Sequence, residues 1–361
     1  MRIALVHDWI NQIGGAERVL AAFHNMWPDA PIHLLFGKSK SVGELLPNAK
    51  IIYSPFQKIP NIFRTRRFMA PILPSLIERF DFSAYDVVVS SSVIFSKGII
   101  VRPKTKHISY CYSPTRFLWD RSAGYEYHSI GSAVARHILR MWDFSAAQRP
   151  DTFIAVSQTC ANRISTYYKR NAFVVPPPIK INNILSGAVR SNFILFVGRL
   201  LPHKNVNELI LAAKKTRTHL VIVGDGPEKS RLELLSENVG DIIEFRGNVS
   251  DQERDELYQT CRAVVVPNEE DWGLTATEAH SHGTPVLALR AGGAQEIVIE
   301  GMTGEFFDDS IVESIADGIH RILRSHTIYD PNLIRQHAMQ WSEERFAEKM
   351  RSIISSQLVG F

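Results

Sequence analysis

The chain has 361 residues, of which 45% are hydrophobic, 22% charged and 10% aromatic, and its 41 Lys and Arg against 37 Asp and Glu leave a net charge of +4. Such a length and composition suit two folded domains with real cores and exclude extended disorder. Cys111, Cys160 and Cys261 lie far apart, which excludes a disulfide scaffold or a cysteine-rich zinc module.

No apolar run reaches the ~20 residues of a membrane span. Arg2, His7 and Asp8 near the start argue against a signal peptide, so the expectation is a cytoplasmic protein. A buried strand is expected over 3–6, then a Gly14-Gly15 turn and a helix over 16–25. Strands follow over 32–36, 86–90, 107–112 and 153–156, then a helix over 158–168 and a strand over 173–175. Pro176-Pro177-Pro178 and the polar stretch to Asn192 break this pattern and read as a hinge. Alternation resumes with a strand over 193–197, a helix over 206–215, a strand over 220–223 and a helix over 227–237. Strands over 242–245, 263–266 and 285–289 continue it. Apolar strands separated by helices predict two doubly wound parallel sheets, each covered on both faces. Ligands of such sheets bind outside the carboxyl ends of the strands, so the two domains are expected to face each other across a cleft. The last segment, 341–358, spaces Trp341, Phe346, Met350, Ile353 and Ile354 as one amphipathic helix.

Two segments carry the densest chemistry. From Pro267, a strand end is followed by Glu269, Glu270 and Asp271, and a helix is expected to start near Gly273. A helix start offers free N–H groups and partial positive charge, which suits a phosphate, and Gly273 lets the backbone come close. Glu278, within that helix, could accept bonds from two sugar hydroxyls. A capped helix with a solvated acidic loop is the bland alternative. In the second segment a strand delivers Gly198, and Arg199 and Lys204 then bracket a turn. Two cations there can neutralise a diphosphate as it leaves, though surface strands often end in basic residues. Gly14-Gly15 could approach a phosphate or sugar, but Ala16-Glu17-Arg18 follows and the dinucleotide fingerprint is missing. No zinc spacing, Walker sequence or nucleophile elbow occurs.

Taken together, these segments resemble the family-4 retaining glycosyltransferases of the GT-B fold. The matching pieces are Gly14-Gly15-Ala16-Glu17, Gly198-Arg199 with Lys204-Asn205, Gly224-Asp225-Gly226-Pro227 and Phe245 to Asp251. Glu270 and Glu278, Gly283-Thr284-Pro285-Val286, Gly292-Gly293 and Glu296 complete the order. Within the family, Val6-His7-Asp8-Trp9 and the stretch from Ser109 to Asp120 look most like bacterial mannosyltransferases of O-antigen or exopolysaccharide synthesis. The resemblance implies an acceptor-binding domain over 1–180, a nucleotide-sugar-binding domain over 186–340, and an end, 341–361, that crosses back to the first. It implies that Arg199 and Lys204 hold the donor diphosphate, with Gly198, Gly273 and the backbone of Leu274 and Thr275. Glu278 would hold the ribose and Glu270 the donor sugar, while Asn248 and Val249 would lie by the base. Gly15 and Tyr112 would approach the donor from the first domain. Tyr112 stands where family members place a histidine; a phenol can donate a hydrogen bond but cannot act as an imidazole. The implied reaction is metal-independent hexosyl transfer with retention, mannosyl from GDP-mannose being the reading for the donor. No cofactor is implied beyond the substrate nucleoside-diphosphate sugar. A nucleotide-sugar epimerase and a non-catalytic nucleotide-sugar-binding protein remain as alternatives.

Charge is divided unevenly. Residues 1–185 hold 23 Lys and Arg against 11 Asp and Glu, an excess of +12, whereas 186–361 hold 18 against 26. Arg64, Arg66 and Arg67 are interleaved with Ile59, Ile62, Phe63, Phe68 and Met69. Cations beside apolar groups suit an anionic membrane surface, where a lipid-linked glycan acceptor would reside, although a solvated face over a core helix has the same pattern. No nucleic-acid recognition motif accompanies the basic half.

Overall fold

A computed structural model describes residues 1–59, 62–65, 69, 71–120, 130–181, 190–237, 242–325 and 328–358. The chain divides into two units, Met1–Pro178 with Phe346–Phe361, and Ile179–Arg345. The first holds a seven-stranded sheet in the order β3-β2-β1-β4-β5-β6-β7. Its strands are β1 (Ile3–Ile10), β2 (Ile32–Gly37), β3 (Ile51–Tyr53), β4 (Val87–Ser92), β5 (Lys106–Cys111), β6 (Thr152–Ala155) and β7 (Ala172–Val174). The second holds a six-stranded sheet in the order β10-β9-β8-β11-β12-β13. These are β8 (Phe193–Val197), β9 (His219–Val223), β10 (Ile243–Gly247), β11 (Ala263–Val266), β12 (Val286–Leu289) and β13 (Gly304–Phe307). The pairs are parallel throughout, among them β1 with β4 and β8 with β11. Both are therefore doubly wound Rossmann-like units, and strand order reverses between β1 and β4 and again between β8 and β11.

The apolar runs explain this arrangement. Ala4, Leu5, Val6 and Ile10 of β1, and Val264 and Val265 of β11, are buried, as strands with helices on both faces require. Three expected elements, the helix Gln158–Tyr168 and the strands Phe193–Val197 and Ala263–Val266, form with the bounds read from the sequence. The core of the second unit gathers Ile194, Leu220 and Val265 with Leu209, Ile210 and Ile319 of its helices.

The end of the chain differs from the single helix expected over 341–358. Met339–Trp341 forms a separate turn of 3₁₀ helix, and the α-helix runs over Glu343–Ser356. Ser342 divides the two: its backbone is extended, it bridges Ile179, and its hydroxyl accepts from the N–H of Arg345 at 3.3 Å. Trp341 consequently stays in the second unit, packed on Trp272 and His337. Phe346 instead packs on Phe23 and Tyr110 of the first. The last helix thus crosses back to the first unit.

Within the first unit two buried carboxylates organise the strand-end loops. The oxygens of Asp8, at the end of β1, accept from the N–H groups of Val93, Ile94, Phe95 and Ser96 at 2.6–3.1 Å. Asp143 accepts from Lys97 (2.6 Å), Thr115 (2.8 Å), Trp119 (2.7 Å) and Tyr168 (2.8 Å). Both are fully enclosed, and buried charge is tolerated only when it is bonded in this way.

Candidate functional site

The second unit collects its charged candidates at the carboxyl ends of β8 and β11, where strand order reverses. Three loops are fastened to one another first. The Cβ that any other residue would bring to Gly224 (φ +130°) would lie 1.9 Å from the carbonyl oxygen of Gly198, so the turn after β9 presses directly on the turn after β8. The N–H of Gly198 donates to Val223 (3.0 Å), that of Leu200 to Asp225 (3.0 Å), and that of Gly224 to Gly247 (2.7 Å). Asn205 Nδ2 then donates to the Pro267 carbonyl at 3.2 Å, linking the β8 loop to the β11 loop.

On this frame Lys204 forms an ion pair with Oε1 of Glu270. Both side chains are partly enclosed, 17% and 30% exposed, so the pair is less screened than a surface pair and still open to a ligand. The same oxygen accepts from Nδ2 of buried Asn268 at 3.1 Å. Burial pushes the Glu270 carboxyl up, but the Lys204 charge and hydrogen bond and the Asn268 bond outweigh it and hold the group below its usual range. Glu270 is therefore an anion here, suited to accepting bonds and not to giving a proton. Arg199 is exposed, and no carboxylate among the described residues pairs with it.

Gly273 ends the acidic loop with φ +115°, a conformation that favours glycine, and the helix Leu274–Ser281 begins at the next residue. The N–H groups of Leu274 and Thr275 have no acceptor among the described residues. Thr275 Oγ1 donates to the carbonyl of Val197 (3.2 Å), which holds this helix start against the end of β8. Gly293 N–H donates to the Glu270 carbonyl at 2.9 Å and supports the acidic loop from behind. One turn into the helix, Glu278 Oε2 accepts from the hydroxyl of buried Tyr258 at 3.0 Å. Arg254 lies close enough that Glu278 and Asp251 raise its guanidinium above the usual range despite burial. Asn248 is exposed and Val249 half-buried in the loop after β10, on the same sheet edge.

Gly198, Arg199, Lys204, Glu270, Gly273, Leu274 and Thr275 thus come together around one helix start, with Glu278 further along that helix. Sequence reasoning named Asn205 beside Lys204 without giving it a role and missed Asn268, Tyr258 and Arg254; these residues hold the two carboxylates and their loops. Gly15 and Tyr112 belong to the first unit. Gly15 opens the helix Gly15–Met26, and the Tyr112 hydroxyl donates to the Ala16 carbonyl (2.9 Å) and meets Ser91 Oγ at 2.8 Å. The single phenolic proton is spent on that helix start, and burial raises the phenol well above its ordinary range. Arg64 lies in the short helix Ile62–Thr65, and Arg66 and Arg67 fall outside the described residues.

A reversal point carrying cations, a bonded carboxylate and an open helix start is the arrangement of an α/β protein that takes an anionic, nucleotide-like ligand. Residues 13–183 match the model for Glycosyltransferase Family 4, and 181–355 that for Glycosyl transferases group 1. The chain is therefore of the GT-B, family-4 type of glycosyltransferase.

Among similar proteins is an uncharacterized glycosyltransferase of Methanocaldococcus jannaschii, 34% identical over 161 residues, which are 44% of this chain and 46% of that one. The lipopolysaccharide 1,2-N-acetylglucosaminetransferase of Salmonella typhimurium is 30% identical over 51% of this chain and 53% of its own. The D-inositol 3-phosphate glycosyltransferase of Mycolicibacterium smegmatis is 31% identical over 41% and 36%. The matches span about a third to a half of these relatives. Similar solved folds include the lipopolysaccharide outer core galactosyltransferase WaaB (TM-score 0.70, 18% identity, 99% of this chain and 100% of that one). Anabaena HepE in complex with UDP-glucose has a TM-score of 0.74 at 18% identity with the same coverage.

Proposed function

We propose that this protein transfers a hexosyl group, with retention, from a nucleoside-diphosphate sugar to a glycan or polyprenyl-diphosphate-linked glycan in bacterial surface polysaccharide synthesis. The observation that carries the reading is the Lys204–Glu270 pair beside the unpaired N–H groups at the start of the Leu274–Ser281 helix. Arg199, Lys204 and that helix start offer the leaving diphosphate three sources of positive potential, so the charge that develops on it is stabilised without a metal. The bond between the anomeric carbon and the diphosphate oxygen breaks, and the acceptor hydroxyl forms its bond on the same face. Its proton passes to a phosphate oxygen of the departing group, so no protein base is required. Glu270, kept anionic, accepts bonds from hydroxyls of the transferred sugar, and Glu278 from the ribose. Asn248 and Val249 lie by the base.

The stretch from Ser109 to Asp120 favours mannosyl transfer from GDP-mannose. A UDP-sugar is the second reading, because the similar fold of Anabaena HepE was solved with UDP-glucose. A panel of GDP-, UDP- and ADP-sugars separates the two by thermal shift, since a ligand at a hundred times its Kd stabilises by about 2.7 kcal/mol. Donor incubated with and without an acceptor, in EDTA, then tests the chemistry. The expected result is acceptor-dependent release of nucleoside diphosphate that survives the chelator. Conversion of the donor to another sugar nucleotide in the absence of acceptor would make the protein an epimerase, and binding without turnover would make it a sensor. The basic character of the first unit supports a site of work at an anionic membrane surface, where such acceptors would reside.

A further inference from the structure

The helix Ile130–Ala146 turns a charged-free apolar row outward. Val134, Ile138, Met141 and Phe144 recur at spacings of four, three and three, which puts them on one side. They are 54%, 59%, 62% and 40% exposed, whereas Leu139, Asp143 and Ala146 of the opposite side are buried. A surface helix that presents both an inward and an outward apolar stripe has a second contact to make. Beside the row lies a pocket of about 200 Å³ lined by Ala133, Arg136, His137 and Arg140. The two guanidinium groups are held in place by the Leu118 carbonyl, to which Arg136 donates at 3.1 Å and Arg140 at 2.7 Å and 3.0 Å.

We propose that this helix is the membrane-docking face of the protein, its apolar row entering the acyl boundary of an anionic leaflet while the Arg136, His137 and Arg140 pocket receives lipid phosphate. Charge selects this occupant. The first unit carries 24 Lys and Arg against 12 Asp and Glu, so a second copy laid on the same face would bring two strongly cationic surfaces together. The row is also only about 15 Å long, short of the ~800 Å² per partner of a stable protein interface. An anionic lipid surface answers both features, since interfacial helices need an apolar face with cations at its edge. The inference rests on the membrane reading above and moves the grip from Arg64, Arg66 and Arg67 to a helix distant in sequence.

The test is sedimentation with vesicles of phosphatidylcholine containing 0 or about 30% phosphatidylglycerol, at low and high salt. Three proteins are compared: wild type, Ile138→Gln with Met141→Gln, and Arg64→Ser with Arg66→Ser and Arg67→Ser. Both glutamine positions are exposed, so the fold and the nucleotide-induced thermal shift should be retained. Wild type should bind the anionic vesicles, and the double variant at least about tenfold more weakly. A Met141→Cys protein carrying an environment-sensitive dye should shift to the blue on those vesicles; Cys111, Cys160 and Cys261 are buried and escape labelling. If wild type binds and the double variant binds equally, this face is not the docking surface, while the membrane reading stands. If wild type does not bind, both fail. Association of wild type into dimers that the double variant abolishes would assign the row to a second copy and overturn the proposal.

Discussion

Removing the Lys204 ammonium acts on two charges at once. It takes a cation from the diphosphate, and it leaves the Glu270 carboxylate with Asn268 as its remaining named donor. Lys204→Ala and Arg199→Ala are each expected to lower kcat/KM by ~10²–10³, the scale for a preorganised donor at a developing charge. The carboxylates should divide differently. Glu278→Ala should raise KM and the nucleotide Kd, because ribose contacts are made in the ground and transition states alike. Glu270→Ala should reduce kcat through misplaced sugar. Titration calorimetry with nucleoside diphosphate beside initial-rate kinetics reads both, and unchanged nucleotide affinity in Glu278→Ala would remove the ribose from that helix.

At the scale of elements, burial has made several imidazoles neutral. His107 and His280 are pushed down from 6.5 to about 3 and His33 to about 4, in each case chiefly by burial. A base with a lowered folded pKa leaves the unfolded chain holding more protons between that pKa and 6.5. Their contribution is therefore intact above about pH 6.5 and is lost as pH falls toward the folded values, by about 1.4 kcal/mol per pH unit for each linked proton. Denaturant unfolding between pH 7 and pH 5 should show stability falling with pH, and His280→Asn should flatten the slope by close to one proton. An unchanged slope in that variant would mean that His280 is not the buried neutral base described. The elements themselves were largely legible, because apolar runs of strand length are what a two-faced parallel sheet demands. What escaped were the groups that tie loops together. Asp143 lies on the inward stripe of its helix with Leu139 and Ala146, and that single acid among apolar neighbours was the available signal. Its partner Lys97 is 46 residues away in sequence, so no local pattern pairs them. The site shows the same division. Glycines and charged residues at strand ends were readable, whereas Tyr258 on Glu278 and Ala16 on Tyr112 depend on which helices the sheets bring alongside.

For the whole molecule, the end of the chain makes a separable prediction. Two units with their own cores are joined at Pro178 and Ile179 and again at Arg345 and Phe346, so the last helix is covalently continuous with the second unit and packed in the first. Phe346, Met350 and Ile354 form its buried stripe, and the Phe346 ring lies 5.4 Å from that of Phe23 and 5.9 Å from that of Tyr110. Phe23 and Tyr110 are fully buried, and Tyr110 donates its hydroxyl to the Val175 carbonyl at 2.9 Å. Truncating Phe346 to Ala opens a cavity against both rings, with a cost of about 3–5 kcal/mol for a buried aromatic. That cost falls on the first unit, while every residue assigned to the donor except Gly15 and Tyr112 lies in the second. Hydrogen exchange read by peptide should therefore show Phe346→Ala losing protection in β1, β5 and the helix Gly15–Met26. Protection gained by β8, β11 and the helix Leu274–Ser281 on adding nucleoside diphosphate should be retained. Loss of that nucleotide-dependent protection in the variant would mean that the two units do not stand as independent folding units, and that the donor site draws on the first for its stability.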